Sequence, residues 1–378
     1  MSVKSRARRL WRTIHLWLGI GLAVLIVPIS LSGAFLVWHD EFDALINPHR
    51  YAVASGPAQP LSALMTRASE AAGPGYRPAL IRLPEAEAAP ATVMVRPERR
   101  AGNERPSALT VYLDPATARV LDVVEFRYTL VGFMHRFHEN LTIPEYNGRS
   151  IVGWSGVALL VMALSGIYLW WPRGSFLLGL RWRRGPTLSY RLHHTAGFWI
   201  SIPLAVVSLT GIVLAFPQES RQLVSGLAPV TPPQRGGFNA PPLRETGLTA
   251  DQAMAAALSA EAGAQVVAIF APTQPSQAWR VQMWRPDTTG SFTVLVDDRD
   301  GAVRPITLHA GDRILLWIRW IHEGSNSGLA WKLIVFVCGL LPTVLSVTGV
   351  VMWWRGRAVK RAKRDLRLPA TPKAHPAE

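Results

Sequence analysis

Four of the ten histidines recur in duplicated settings. His15 and His193 each stand seventeen residues before a small residue followed by glycine, Ser32-Gly33 and Thr210-Gly211. The stretch Arg12-Thr-Ile-His15-Leu-Trp17-Leu-Gly19 parallels Arg191-Leu-His193-His194-Thr195-Ala-Gly197, which puts Gly19 and Gly197 in register. A second pair sits in Phe133-Met-His135-Arg136-Phe-His138-Glu139-Asn140 and Ile318-Arg319-Trp-Ile-His322-Glu323-Gly324. A neutral imidazole offers one nitrogen lone pair to a metal, while its other ring nitrogen donates outward and fixes the tautomer. Two imidazoles at equal depth in a membrane are what an axially ligated heme needs. His15 with His193 and His138 with His322 therefore predict two sites, one on each face.

Neighbouring residues leave alternatives open. His194 lies about 100° around a helix from His193, so only one of them faces a given ring plane, and register favours His193. His135, one turn before His138, is a second candidate at the other site; its counterpart is Arg319. Arg12 and Arg191 at one face, and Arg136 and Arg319 at the other, could pair with heme propionates. Positive-inside anchoring accounts equally well for Arg12 and Arg191. His39, His49 and His309 have no duplicated partner and, with His375, read as structural or solvated. The single cysteine, Cys338, and the lack of any Cys-x-x-Cys-His exclude covalent c-type attachment, so any heme is held noncovalently.

The elements that must position these residues are membrane spans. Leu16 to Trp38, Ile151 to Trp171, Ala196 to Phe216 and Leu329 to Trp354 are each near the roughly 20 apolar residues needed to cross about 30 Å of hydrocarbon. Only Lys332 brings charge into any of them. The first apolar stretch is too long for a signal-peptide core and is not followed by a clean small-residue exit, so it reads as a retained anchor. Spans one and three end in Ser32-Gly33 and Thr210-Gly211; spans two and four carry Ser165-Gly166 and Thr348-Gly349. Glycine there lets a porphyrin edge or a neighbouring backbone approach closely. Trp170-Trp171 and Trp353-Trp354 read as an interfacial aromatic belt ahead of an electron relay.

Basic residues crowd three segments: the N-terminus, the link with Arg173, Arg181, Arg183, Arg184 and Arg191, and the tail from Arg355 to Arg367. With four spans all three fall on one side, which predicts cytoplasmic termini. The net charge of +15 is then a topology signal and a surface for anionic membrane lipid. It is split among span ends without a recognition module, so nucleic acid is not an expected partner.

Two large loops lie on the opposite side, away from the cytoplasm. The second opens with a helix begun by Thr249 or Asp251 and stopped near Gly263; strands follow at Gln265 to Ala271, Ala278 to Trp284 and Ser291 to Asp297, with a turn at Asp298 to Gly301. The first repeats this loosely, with a helix from Leu61 to Ala72 and strands near Ala79 to Leu83, Ala91 to Arg96 and Ser107 to Leu113. Ala54 to Pro60 and Ala228 to Pro242 read as linkers, and Arg96 to Pro106 as a hairpin end. The expected fold class is a mainly α membrane protein, a four-helix transmembrane bundle from a duplicated two-span unit with two small α+β modules. Its expected division is 1–39 for the N-terminus and first span, 40–132 for the first module, and 133–172 for an interfacial segment and second span. A link and third span at 173–216, the second module at 217–312, an interfacial segment and fourth span at 313–354, and a basic tail at 355–378 complete it.

Arg12-x-x-His15-x-Trp17-x-Gly19 through Ser32-Gly33, its repeat from Arg191 to Gly211, and His138-Glu139 and His322-Glu323 before the returning spans resemble the PepSY-associated transmembrane family over nearly the whole chain. The resemblance implies PepSY-like outer modules, b-type heme, and electron transfer to ferric siderophore in the periplasm, as in the siderophore reductases of Gram-negative inner membranes. The second copy departs from the first in having Thr195 where the first has Trp17, and the first module is degenerate. Siderophores hold Fe(III) through hard anionic oxygens that bind Fe(II) much more weakly, so one electron suffices for release. The absence of a Rossmann fingerprint makes quinol or a separate reductase the expected donor. Two other classes compete. A PepSY-type peptidase-inhibiting regulator would not need the membrane histidines, and a permease would need a polar midplane path that four nearly charge-free spans do not offer.

Overall fold

The computed structural model of the protein describes residues 3–98, 107–171, 187–232, 240–286 and 290–365. Arg173, Arg181, Arg183 and Arg184 of the basic link, most of the Arg96 to Pro106 insert, Arg367 and His375 lie outside them.

The chain passes twice through the same order of elements. Helix α1 (Val3–Val37) leads into α2 (His39–Ile46), a 3₁₀ turn (Pro48–Tyr51) and α3 (Leu61–Ala72). Strands β1 (Tyr76–Arg82), β2 (Ala91–Pro97), β3 (Leu109–Leu113) and β4 (Val120–Val124) follow, then α4 (Leu130–Asn140) and α5 (Gly148–Trp170). The second pass runs α6 (Leu188–Ala215), α7 (Pro217–Ser225) and α8 (Ala250–Ala260). It continues with β5 (Gln265–Phe270), β6 (Ala278–Trp284), β7 (Phe292–Asp297), β8 (Val303–Pro305), α9 (Ala310–Glu323) and α10 (Gly328–Asp365).

Four helical stretches are long and apolar enough to cross a membrane: Ser5–Val37, Gly148–Trp170, Leu188–Ala215 and Gly328–Val359. In hydrocarbon every backbone donor and acceptor must be satisfied within the segment, which makes helix the only open-chain solution for such sequences. The four pack as a ring in which α1 touches α5 and α10, and α6 touches the same two, so α1 and α6 stand on a diagonal. A Cβ on Gly339 of α10 would come within 2.7–2.9 Å of Ala34 on α1, so these two backbones meet where only glycine fits. Ala163, Ile200, Leu204 and Cys338 close the middle of the bundle. Helix α4 packs on α1 and α5, and α9 packs on α6, α7 and α10.

The strands make one antiparallel sheet in the order β4-β3-β2-β1-β5-β6-β7-β8. Each loop contributes a four-stranded meander, and the two are zipped at β1–β5 through Leu80↔Phe270, Ile81↔Ile269 and Arg82↔Ala268. Val93 lies opposite Ile81, and Val281 opposite Ile269. All four are fully buried beneath α3 and α8, in a single core shared by both modules. Thr249 caps α8 in a box with Gln252, and the neighbouring Asp251 carboxylate accepts from the backbone N–H of Leu61 (2.6 Å) and Ser62 (2.9 Å) in the other module.

Helix α3 and strand β6 have the bounds their sequences predict. Strands β4 and β8 and the seam have no counterpart among the expected elements. Both strands are short, half-exposed sheet edges without apolar alternation.

Sheet and bundle are tied together by a buried ionic clasp. Arg50, on the 3₁₀ turn, donates to Asp43 of α2 (2.7 Å) and to Asp122 of β4 (2.8 Å) while lying over the Tyr112 ring. His49 reaches the same Asp122 at 3.2 Å.

Candidate functional site

The sheet-side site begins with α4 and α9, which lead back into α5 and α10. Thr129 caps α4 by accepting from Gly132 N, and His309 opens α9 in a capping box with Asp312. Each helix sends one histidine inward: His138 and His322 face each other with ring centres 6.1 Å apart. His138 Nδ1 lies 2.8 Å from the Ile29 carbonyl of α1, and His322 Nδ1 lies 3.0 Å from the Val207 carbonyl of α6. A carbonyl only accepts, so Nδ1 carries the proton in both rings and Nε2 keeps its lone pair. Burial lowers the pKa of His138, and burial followed by the neighbouring His138 lowers that of His322 to about 4. Both imidazoles are thus held neutral, the form that binds a metal.

At the opposite end of the bundle, His15 on α1 and His193 on α6 meet across the diagonal with ring centres 6.3 Å apart. His15 Nδ1 is 2.8 Å from Ser165 Oγ, whose own proton goes to the Met162 carbonyl. The serine therefore accepts. His193 Nδ1 is 3.1 Å from both the Leu345 carbonyl and Thr348 Oγ1, and that hydroxyl in turn donates to Val344. Again the Nδ1 protons point outward into neighbouring helices.

These contacts show what the four hydroxyl-glycine pairs do. Ser32, Ser165, Thr210 and Thr348 each stand within hydrogen-bond reach of one histidine Nδ1, at 3.4, 2.8, 3.4 and 3.1 Å. The glycine that follows each lies against the same ring. A Cβ would fall 2.7 Å from His138 Cε1 at Gly33 and 2.8 Å from His322 Cε1 at Gly211, but 3.6 Å from His15 Cε1 at Gly166 and 3.4 Å from His193 Cε1 at Gly349. What approaches each glycine is the imidazole itself. The signal was present in the sequence as a hydroxyl directly before each glycine.

A metal–imidazole bond is about 2.0 Å and the ring centre lies about 1.1 Å beyond the nitrogen, so two imidazoles on one metal have centres about 6 Å apart. Both pairs have that separation. The His15–His193 end also opens into a cavity of about 650 Å³ lined by both rings, Gly19, Gly197, Arg8 and Arg12. That is within the roughly 300–1,000 Å³ of cofactor sites. Among the described residues no group of three His, Cys, Asp or Glu is arranged to hold a metal ion; what the bundle offers is paired imidazoles.

The remaining candidates divide. His194 lines the same cavity but packs against Tyr190 with ring centres 4.1 Å apart, leaving His193 opposite His15. His135 turns away from the His138–His322 pair, against Phe126 (6.0 Å) and His39 (5.9 Å). His39 thus has a neighbour that the duplication did not reveal. Arg12 lines the cavity, and the buried Nε atoms of Arg191 and Arg136 have no hydrogen-bond partner among the described residues, a costly state that an anionic group would relieve. Arg319 instead approaches Glu323 at 3.8 Å on the surface. The tryptophan pairs split as well. Trp171 and Trp354 are exposed where a belt would be, whereas Trp170 is buried on Phe198 (3.7 Å) and Trp353 borders the cavity.

No curated protein matches this chain. The family described as "PepSY-associated TM region" matches residues 12–356, a stretch that holds all four imidazoles, all four hydroxyl-glycine pairs and the whole sheet. The chain is a membrane protein belonging to the PepSY-associated TM family.

Proposed function

We propose that this protein is a heme-b electron carrier of the bacterial inner membrane that delivers electrons to ferric siderophore in the periplasm, reducing Fe(III) to Fe(II) and releasing the iron. The observation that carries the proposal is the pairing of imidazoles at both ends of one bundle, with ring centres 6.3 and 6.1 Å apart and every Nδ1 bonded to a carbonyl or hydroxyl of a neighbouring helix. His15 and His193 would hold the cytoplasmic-side heme, and His138 and His322 the periplasmic-side one. Along α1 the two levels are separated by the distance from His15 to Ile29–Gly33, about 21–27 Å at ~1.5 Å per residue. That is most of the hydrocarbon thickness.

Bound heme would supply one-electron chemistry. The protein's own residues do the rest. Ser165, Thr348 and the carbonyls of Ile29 and Val207 fix the tautomers and orient the rings. Arg12, Arg191 and Arg136 would neutralise heme propionates. Ala163, Ile200, Leu204 and Cys338 keep water out between the two levels. With no nucleotide-binding fingerprint in the chain, the donor is quinol or a separate reductase.

The test is an absorption spectrum of the purified protein before and after dithionite, paired with acid-acetone extraction. Low-spin bis-imidazole bands that shift on reduction, with the heme extracted, are expected, and His322→Ala should remove about half of the heme and abolish ferric siderophore reduction. A protein free of heme after expression with ample heme supply would end this reading and leave the regulator class.

A further inference from the structure

Beside the periplasmic-side pair lies a third pair of imidazoles that the electron-carrying role does not use. His39 stands at the start of α2 and His135 on α4, with rings 5.9 Å apart and nearly perpendicular at 83°. His39 Nδ1 is 2.9 Å from the Leu36 carbonyl, so that nitrogen carries a proton and, in the neutral ring, Nε2 presents its lone pair. Nε2 is directed at Asp40 Oδ1, 3.4 Å away. A ring nitrogen and a carboxylate oxygen facing each other need a positive charge between them, which either a proton on Nε2 or a bound cation supplies. The His39 side chain is 41 % exposed and that of Asp40 is 79 % exposed, so the pair opens to solvent. His135 is backed by Phe126, and no hydrogen bond from a described residue engages its ring nitrogens.

We infer that His39 and His135, with Asp40, form a binding site for a divalent first-row transition cation. The three groups do not stand at coordination spacing as they are; rotation of the solvent-exposed Asp40 and of His135 closes the site around the ion. Imidazole suits Fe(II), Zn(II) and Ni(II), whereas Fe(III) prefers the hard oxygen ligands of a siderophore. On the reductase reading proposed above, on which this part of the inference rests, the cargo is the ferrous product. His135 is one helical turn from His138, so iron reduced at that level is released within reach of ligands that favour its new oxidation state. Capture is ligand exchange alone: iron–nitrogen bonds replace iron–water bonds and no electron moves.

The experiment is a calorimetric titration of tag-free, full-length, heme-loaded protein with Zn(II), a redox-inert probe, alongside the Soret spectrum. Wild-type protein is expected to take up one Zn(II). His39→Ala and His135→Ala should each weaken that uptake by at least about 100-fold, above the roughly 10–100-fold cost of losing an outer-shell partner. Heme content should be unchanged in both. His49→Ala, whose ring pairs with Asp122 on the sheet, should bind as wild type does. Unaltered Zn(II) affinity in either variant, or no saturable uptake by the wild type, overturns the site while leaving the heme reading intact. Zn(II) uptake by a protein that carries no heme would sink the reductase reading and leave the cation site standing.

Discussion

A Cβ placed on Gly33 would sit 2.7 Å from Cε1 of His138. Carbon atoms in comfortable contact are about 3.5–4.0 Å apart, so in Gly33→Ala the ring must retreat by about 1 Å. It has little freedom to do so, because its Nδ1 proton is committed to the Ile29 carbonyl on the same helix as Gly33. Metal–ligand bonds tolerate about 0.2 Å, so a 1 Å displacement is enough to lose ligation. The fold itself should survive: overpacking costs about 1–3 kcal/mol, and alanine returns up to about 1 kcal/mol in helix propensity. On the proposed two-heme reading, heme per polypeptide, measured by the pyridine hemochrome on monodisperse protein, should therefore fall to about half in Gly33→Ala and Gly211→Ala. Gly166→Ala places its Cβ 3.6 Å from His15 Cε1, an ordinary contact, and should keep both hemes. A full complement with unchanged low-spin bands in Gly33→Ala, or an equal loss in Gly166→Ala, would refute the view that these glycines seat the imidazoles.

Three further outcomes are expected. Arg50→Met leaves Asp43 and Asp122 without their shared cation and should destabilise the sheet by about 3–5 kcal/mol, read as a lower thermal midpoint or faster proteolysis of the outer domain, with heme spectra retained. Asp114 and Asp122 are held below the usual carboxylate range: burial pushes each up, but donors from Thr117, Ala116 and Ala54 in one case, and from Arg50 and His49 in the other, prevail. Their stabilisation is complete above an unfolded pKa of about 4 and is lost as pH falls through the lower folded values, so the sheet should loosen below pH ~4, and less steeply in Asp114→Asn. Reporter fusions after Arg184 and after Arg364 should both report cytoplasm; a periplasmic signal at either would overturn the proposed orientation.

The membrane bundle was legible because its signal is local: four charge-poor stretches of the right length name themselves. The imidazole pairs were legible for a different reason, that duplication wrote the same residue at the same offset twice. The seam was not. Ile81 and Ile269 pair across the whole intervening chain, and nothing in either strand marks which edge it will seek. Strand β8, three residues ending in proline, carries too little pattern to be read. The residue before each glycine is legible in the sequence only as small, because only the fold brings an imidazole to its hydroxyl. His39 was set aside for want of a duplicated partner, since Pro217 occupies its place in the second pass; its neighbour His135 is close only once α4 lies along α1.

The β1–β5 seam also decides how the two halves may drift. Each imidazole pair draws one ring from each half, so the gap between rings belongs to neither half alone. A strand pairing that must keep the same side chains on the buried face can slip only by two residues, a step of about 6.6–6.8 Å. Outside the bilayer the halves are therefore indexed, like teeth on a ratchet, and intermediate offsets are not available to them. Substitutions scattered through the outer domain can loosen or tighten that pairing, but they cannot slide one half gradually past the other.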